Sequence, residues 1–252
     1  MDPLVNDLAA EHAQVRTMLA GLPDAQWNAA TRCEGWDVAD VVLHLAQSDE
    51  LAIASASADF LGAVSSWSEA LDGGSRSVDE GVDRLVSNQR GMPIPELLAR
   101  WSDNADRLVQ TLNAMNLSER VEWVSGPMSA RSLCATRISE TWIHGGDIAG
   151  AVGITLAPTD RIKSIARLAW RTLPYAFTKA GKTITGPVAL HLTSPSGEVW
   201  AFESDEPAVT TITGTAADLC DVASQRTTAE HTSLVGTGPD AQDVLRFIRT
   251  YA

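Results

Sequence analysis

Cysteine is scarce in this chain. Three residues in 252, Cys33, Cys134 and Cys220, stand far apart. An odd number at wide spacing argues against a disulfide framework and against a Cys-x-x-Cys zinc site. All three read as small buried residues. Cys134 falls six residues before Glu140, about 120° round a helix from it, which counts against a nucleophilic role there. Basic residues are also in deficit, with 19 Lys and Arg against 32 Asp and Glu and a net charge of −13. Phosphate backbones need basic patches, so nucleic acid is not an expected partner, and neither is an anionic membrane. A small anionic substrate stays open, because one local Arg holds a carboxylate. No apolar run is long enough to span a bilayer. The opening "MDPLVNDLAAEHAQ" is acidic and amphipathic and lacks the basic and apolar regions of a signal peptide, so the cytoplasm is expected. Internal repeats and low-complexity tracts are absent.

What remains fits a globular protein, with 44% apolar residues and a mean hydropathy of −0.04. The first two-thirds reads as helix. Leu4, Leu8, Val15 and Leu19 form a first stripe that "GLPD" ends. A second helix starts near Trp36–Asp37 in "CEGWDVADVVLHLAQSDELAIASASADFL", with Asp37 as N-cap and Val38, Val41, Val42 and Leu45 on its apolar side. "LDGGSRSVDEG" reads as a loop or break. "PIPELLARWSDNADRLVQTLNAM" is a third helix with Pro95 in its first turn. A fourth spans about 129–151. Four long helices suggest a bundle. From about Gly181 two alternating runs flank "SPSG", a hairpin signature, and "AVTTITG" is a third strand. "TAADLCDVASQR" and "PDAQDVLRFIRTYA" look helical. The expected organisation is a helical bundle over 1–155, a linking helix over 156–180 and a small α/β domain over 181–252. The fold class is α+β, mainly α.

The chemistry concentrates in "SETWIHGGDIAG". Glu140, His144 and Asp147 stand at i, i+4 and i+7, on one face of a helix whose other positions include Ile138, Trp142, Ile143 and Ile148. Such groups are costly to bury unless they are paired or bind a metal. His44 sits among apolar residues on the second helix. Should these helices be neighbours, His44, Glu140 and His144 converge. Two imidazoles and a carboxylate form a catalytic zinc set with an open fourth position. Trp36 and Trp142 flank the site and are candidates to line it. His12 reads as structural, His191 as a solvent-facing strand residue, and His231 as a loop residue without a role.

"GWDVADVVLHLAQSDE" and "ATRISETWIHGGDIAG" resemble the two signature helices of the mycothiol-dependent maleylpyruvate isomerase family. The resemblance extends over nearly the whole chain and implies a DinB-like four-helix bundle followed by a small α/β domain. It implies zinc held by His44, Glu140 and His144, with Asp147 at the family's acidic position. It also implies Arg226, in "GTAADLCDVASQR", as the C-terminal Arg, although the family's usual Trp and Gly before it are missing. Gly146 stands where many relatives carry Trp. The implied cosubstrate is mycothiol, activated by the metal to attack a small electrophile, with isomerisation or S-transfer as the outcome. A metal-dependent hydrolase using zinc-bound water and a non-catalytic metal-binding module are the alternatives. Other divalent ions suit the same N/O ligands. A monomer or homodimer is expected.

Overall fold

The structure, a computed structural model, describes residues 1–67 and 77–250. The chain divides into two compact units, Met1–Leu156 and Ala157–Ala252. In the first, α1 (Pro3–Ala20), α2 (Val38–Ala56), α5 (Ile94–Ala114) and α6 (Ala130–Ala151) form the bundle. α2 packs on both α5 and α6, and α1 closes the ring against the same two helices. α3 (Phe60–Ser66) and α4 (Val78–Gln89) lie against α2.

Local sequence chemistry sets the helix ends. Asp2 caps α1 by accepting from Leu4 N at 2.9 Å. Asp37 starts α2 through a capping box: its Oδ1 accepts from Asp40 N at 2.9 Å, and Asp40 Oδ2 accepts from Asp37 N at 3.3 Å. Ser129 caps α6 by accepting from Ser132 N at 3.1 Å. Val15, Trp27, Val41, Val42, Leu45, Trp101 and Ile148 belong to one continuous buried cluster. α6 approaches α1 closely at Gly145, where a Cβ would lie 2.8 Å from Val15 Cγ2.

Two expectations need correction, and one pair of short strands was not expected. The second helix does not run through to "ADFL": it stops at Ala56, and Ala58 takes a left-handed conformation (φ 60°) before α3 begins. The break expected in "LDGGSRSVDEG" lies partly outside the described residues, but its last four residues are the first turn of α4, capped by Ser77. Two-residue strands β1 (Arg120–Val121) and β2 (Met128–Ser129) pair just before α6, too short to leave a pattern in sequence.

In the second unit a 3-10 turn (Asp160–Ile162) leads into α7 (Lys163–Lys179). A four-stranded sheet follows in the order β4-β3-β5-β6, from β3 (Val188–Thr193), β4 (Val199–Phe202), β5 (Thr210–Thr215) and β6 (Val235–Thr237). β3 and β4 form the antiparallel hairpin expected around "SPSG"; β3 and β5 are parallel. α8 (Ala216–Ala223) packs on β5, and α9 (Ala241–Phe247) on β5 and β6. Leu190, Leu192, Trp200, Phe202 and Ile212 are buried. His191 alternates with them, half-buried and paired with Glu203. β6 escaped the sequence reading because Val-Gly-Thr alternates too briefly. Among the described residues no helix is long and apolar enough to cross a membrane.

The bundle interior holds a buried ion pair. Arg137 on α6 donates from Nε to Asp49 Oδ1 on α2 at 3.1 Å and from Nη2 to Ser48 Oγ at 2.7 Å. His12 Nε2 of α1 lies 3.6 Å from Asp49 Oδ2, and its ring meets Trp101 edge-on at 6.1 Å. Burial holds the His12 imidazole below its ordinary pKa against the pull of Asp49, so the histidine packs there in its neutral form. Removing one partner of a buried pair strands the other charge, at a cost of about 3–5 kcal/mol. Asp49→Ala is therefore expected to lower unfolding free energy by about that amount in urea titrations at pH 7. A loss below about 1 kcal/mol would show that the pair does not support the core.

Candidate metal centre

The helical ring sets α2 beside α6, and this brings His44 to the Glu140 face. His44 Nε2 lies 3.3 Å from Glu140 Oε2, and His144 Nε2 lies 3.7 Å from the same oxygen. The two imidazoles meet edge to face, their centroids 4.8 Å apart at 77°. Donor atoms bonded to one tetrahedral zinc at ordinary lengths stand roughly 3.3–3.6 Å apart. The two imidazole–carboxylate edges are close to that spacing, all three donors lie within 4.8 Å of one another, and the N, N, O set suits a divalent ion. The side chains of both histidines are 12% exposed and that of Glu140 27%, so the triangle has a solvent-facing side.

The electrostatics match. Burial works against the Glu140 carboxylate, but the His44 hydrogen bond and the charges of His144 and Arg137 outweigh it and hold the pKa at about 2. Burial lowers the His44 pKa, partly opposed by Glu140. Burial also works against the His144 imidazolium, but hydrogen bonds to Asp147 and Cys33 and the charge of Glu140 raise its pKa to about 9. His144 Nδ1 stands 3.1 Å from Asp147 Oδ2, and Asp147 is buried. That is the carboxylate–histidine arrangement that fixes a ligand ring with its other nitrogen free for a metal.

Trp36 stacks obliquely on His44, with centroids 5.2 Å apart at 45°. Its Nε1 donates to Asp83 Oδ1 of α4 at 2.9 Å. Arg90, at the end of α4, donates to Asp40 Oδ1 at 2.9 Å and to Gly35 O at 3.1 Å. α4 thus straps the turn before α2 against the site. Trp142 stands two residues from Glu140 and from His144, about 200° round α6 from each. Arg226 lies in the second unit, just past the α8 C-cap Ser224, and donates from Nη1 to Ser224 O at 3.0 Å.

The reading of all three cysteines as buried fails at Cys33. Cys134 and Cys220 are buried, whereas Cys33 is half-exposed at the site. Its Sγ donates to Asp147 Oδ2 at 3.3 Å and lies 3.8 Å from His144 Nδ1. Helical periodicity gave no sign of this, because Cys33 sits in a turn outside α2 and 111 residues before His144.

The profile of the mycothiol maleylpyruvate isomerase N-terminal domain family matches residues 8–149. The chain belongs to this family. An uncharacterized protein of Mycobacterium tuberculosis, from strain CDC 1551 / Oshkosh and again from strain ATCC 25618 / H37Rv, is 32% identical over 251 residues, covering 99% of this chain and 95% of the relative. Crystal structures of a mycothiol-dependent maleylpyruvate isomerase and of its histidine-to-alanine variant share the fold, with TM-scores of 0.61 and 0.60, 16% identity, and coverage of 93% of this chain and 91% of theirs. The family match spans α2 and all three members of the triangle.

The His144 environment fixes a pH dependence. An unfolded histidine titrates near pH 6.5, whereas the folded, metal-free His144 titrates at about 9. The raised pKa stabilises the metal-free fold fully below about pH 6.5, and that contribution disappears as pH rises through about 9. An incoming metal ion must displace the proton. Apparent zinc affinity, measured by chelator competition, is expected to rise steadily between pH 7 and about 9. An affinity flat over that interval would contradict the charged state assigned to His144.

Proposed function

We propose that this protein is a zinc-dependent enzyme that uses mycothiol to isomerise a small unsaturated acid from cis to trans. The observation that carries the reading is the convergence of His44 Nε2, Glu140 Oε2 and His144 Nε2 on one position with a solvent-facing side. The family, and the isomerase structures of the same fold, support mycothiol as the thiol and maleylpyruvate as the first substrate to try.

A free thiol is largely protonated at neutral pH, with a pKa of about 8.5. Zinc bound at the triangle would supply the thiol as a thiolate. His44, Glu140 and His144 would hold the ion, and a three-residue set would leave a coordination position for an outside sulfur. Asp147 accepts from His144 Nδ1 and keeps Nε2 turned to the metal. Trp36, stacked on His44, keeps water from one side of the imidazole. Arg226 is the proposed holder of the substrate carboxylate. Thiol addition to the conjugated double bond permits rotation, and elimination returns the thiol. Release of free mycothiol defines the isomerase; retention in the product would define an S-transferase.

The test is turnover of maleylpyruvate by the zinc-loaded protein with and without mycothiol. Activity is expected only with the thiol. His44→Ala and His144→Ala are each expected to lose stoichiometric zinc and turnover together. Asp147→Asn should weaken zinc binding about 10–100-fold. Arg226→Ala should keep its zinc and raise KM about ten- to a hundredfold, the worth of one charged hydrogen bond. Equal turnover without any thiol would sink the proposal in favour of water chemistry, and full zinc retention in both histidine variants would remove the site.

A further inference from the structure

His144 has two ring nitrogens, and each faces a different set of donors. Nε2 faces His44 and Glu140, and Nδ1 faces Cys33 and Asp147. In the second set the three separations are 3.1 Å from Nδ1 to Asp147 Oδ2, 3.3 Å from Sγ to Oδ2, and 3.8 Å from Sγ to Nδ1. A tetrahedral ion with ordinary Zn–S, Zn–N and Zn–O bonds needs donor pairs roughly 3.4–3.6 Å apart. Two hydrogen bonds ending on Asp147 would explain the two shorter edges. The third edge, at 3.8 Å, is slightly longer than that spacing, and all three donors lie within 4.8 Å of one another.

The thiol is held there by its own turn. Thr31 Oγ1 accepts from Cys33 N at 3.1 Å and donates to Trp36 O at 2.9 Å, while Trp36 N donates to Cys33 O at 3.0 Å. Gly35 supplies the left-handed residue this turn needs (φ 78°), and Arg90 clamps its carbonyl. Cys33 therefore reaches the site on a short, tied loop. Its partial exposure leaves a side through which an ion and its water can enter.

We infer that Cys33, His144 Nδ1 and Asp147 form a second metal position, for a thiophilic divalent ion such as zinc, cobalt or cadmium, bridged to the first through the His144 ring. A mixed S, N, O set selects such ions over magnesium or calcium. Charge balances when both positions are filled. Two divalent cations face four anionic ligands, Glu140, Asp147, the Cys33 thiolate and the His144 imidazolate, while His44 binds neutral. Loading the second position expels two protons, one from the Cys33 thiol and one from His144 Nδ1. This position shares His144 with the proposed catalytic site but does not depend on the reaction proposed for it.

The test is titration of the metal-free protein with cobalt(II) at pH 8, without added thiol. Two equivalents are expected to bind. The second should bring a thiolate-to-cobalt charge-transfer band in the near ultraviolet and release two protons into a weak buffer. Cys33→Ser and Cys33→Ala should each stop at one equivalent without the band, with unchanged far-ultraviolet circular dichroism. Cys134→Ala should keep both, because Cys134 is buried and its pKa is pushed up to about 12. Saturation of the wild type at one equivalent with no band overturns the second position and leaves the proposed catalytic site standing. One equivalent with the band supports the Cys33 position and contradicts the His44–Glu140–His144 site. No cobalt binding overturns both.

Discussion

Glu140 is an ionised carboxylate set between two imidazoles inside a helical bundle, and much of the surrounding structure serves to keep that charge partnered. Left alone in a dry interior it would have to take up a proton. Instead His44 arrives from α2 at 3.3 Å and His144 from one turn along α6, and the buried guanidinium of Arg137 adds its charge from the turn before. Arg137 is itself pinned by Asp49 and Ser48 on α2. The same two helices therefore carry two polar layers, one at Asp49–Arg137 and one at His44–Glu140–His144. The first layer is fully enclosed and the second is open on one side.

The residues behind His144 and His44 follow the same logic. Asp147 faces the far nitrogen of His144, and the Thr31–Trp36 turn brings Cys33 to that carboxylate and Trp36 to the other histidine. α4 holds the turn through Asp83 and Arg90. A glycine follows His144 because α1 passes close at Val15, and the next, Gly146, is exposed with open space around it.

The four long bundle helices, the Asp37 cap and the shared face of Glu140, His144 and Asp147 were legible in the sequence. Periodicity and capping are local properties, and the residues that express them are adjacent in the chain. The convergence of His44 on that face was legible only as a condition, that α2 and α6 be neighbours, and the ring of α1, α5, α2 and α6 meets it. Cys33 was not legible. Nothing in its own surroundings distinguishes it from a packing cysteine, and its role depends on the direction of a turn that precedes a helix. α4 was hidden by the Gly- and Ser-rich stretch before it, although Val82, Leu85 and Val86 stand at helical spacing within it. Trp142 was placed near the site by closeness in sequence, whereas the helical angle turns it away from Glu140 and His144. Family resemblance supplied mycothiol and the small electrophile, which no spacing of side chains could name.

His44, Glu140 and His144 are proposed to hold one metal ion with a place left for an outside thiol. X-ray absorption at the zinc edge tests it directly, on the Cys33→Ala protein loaded with one equivalent of zinc, where none of the chain's own thiols is at the site. Without mycothiol the first shell should contain only nitrogen and oxygen. With saturating mycothiol it should gain one sulfur at about 2.3 Å beside two imidazole nitrogens and one carboxylate oxygen. A shell that stays nitrogen and oxygen alone at saturating mycothiol would contradict the account.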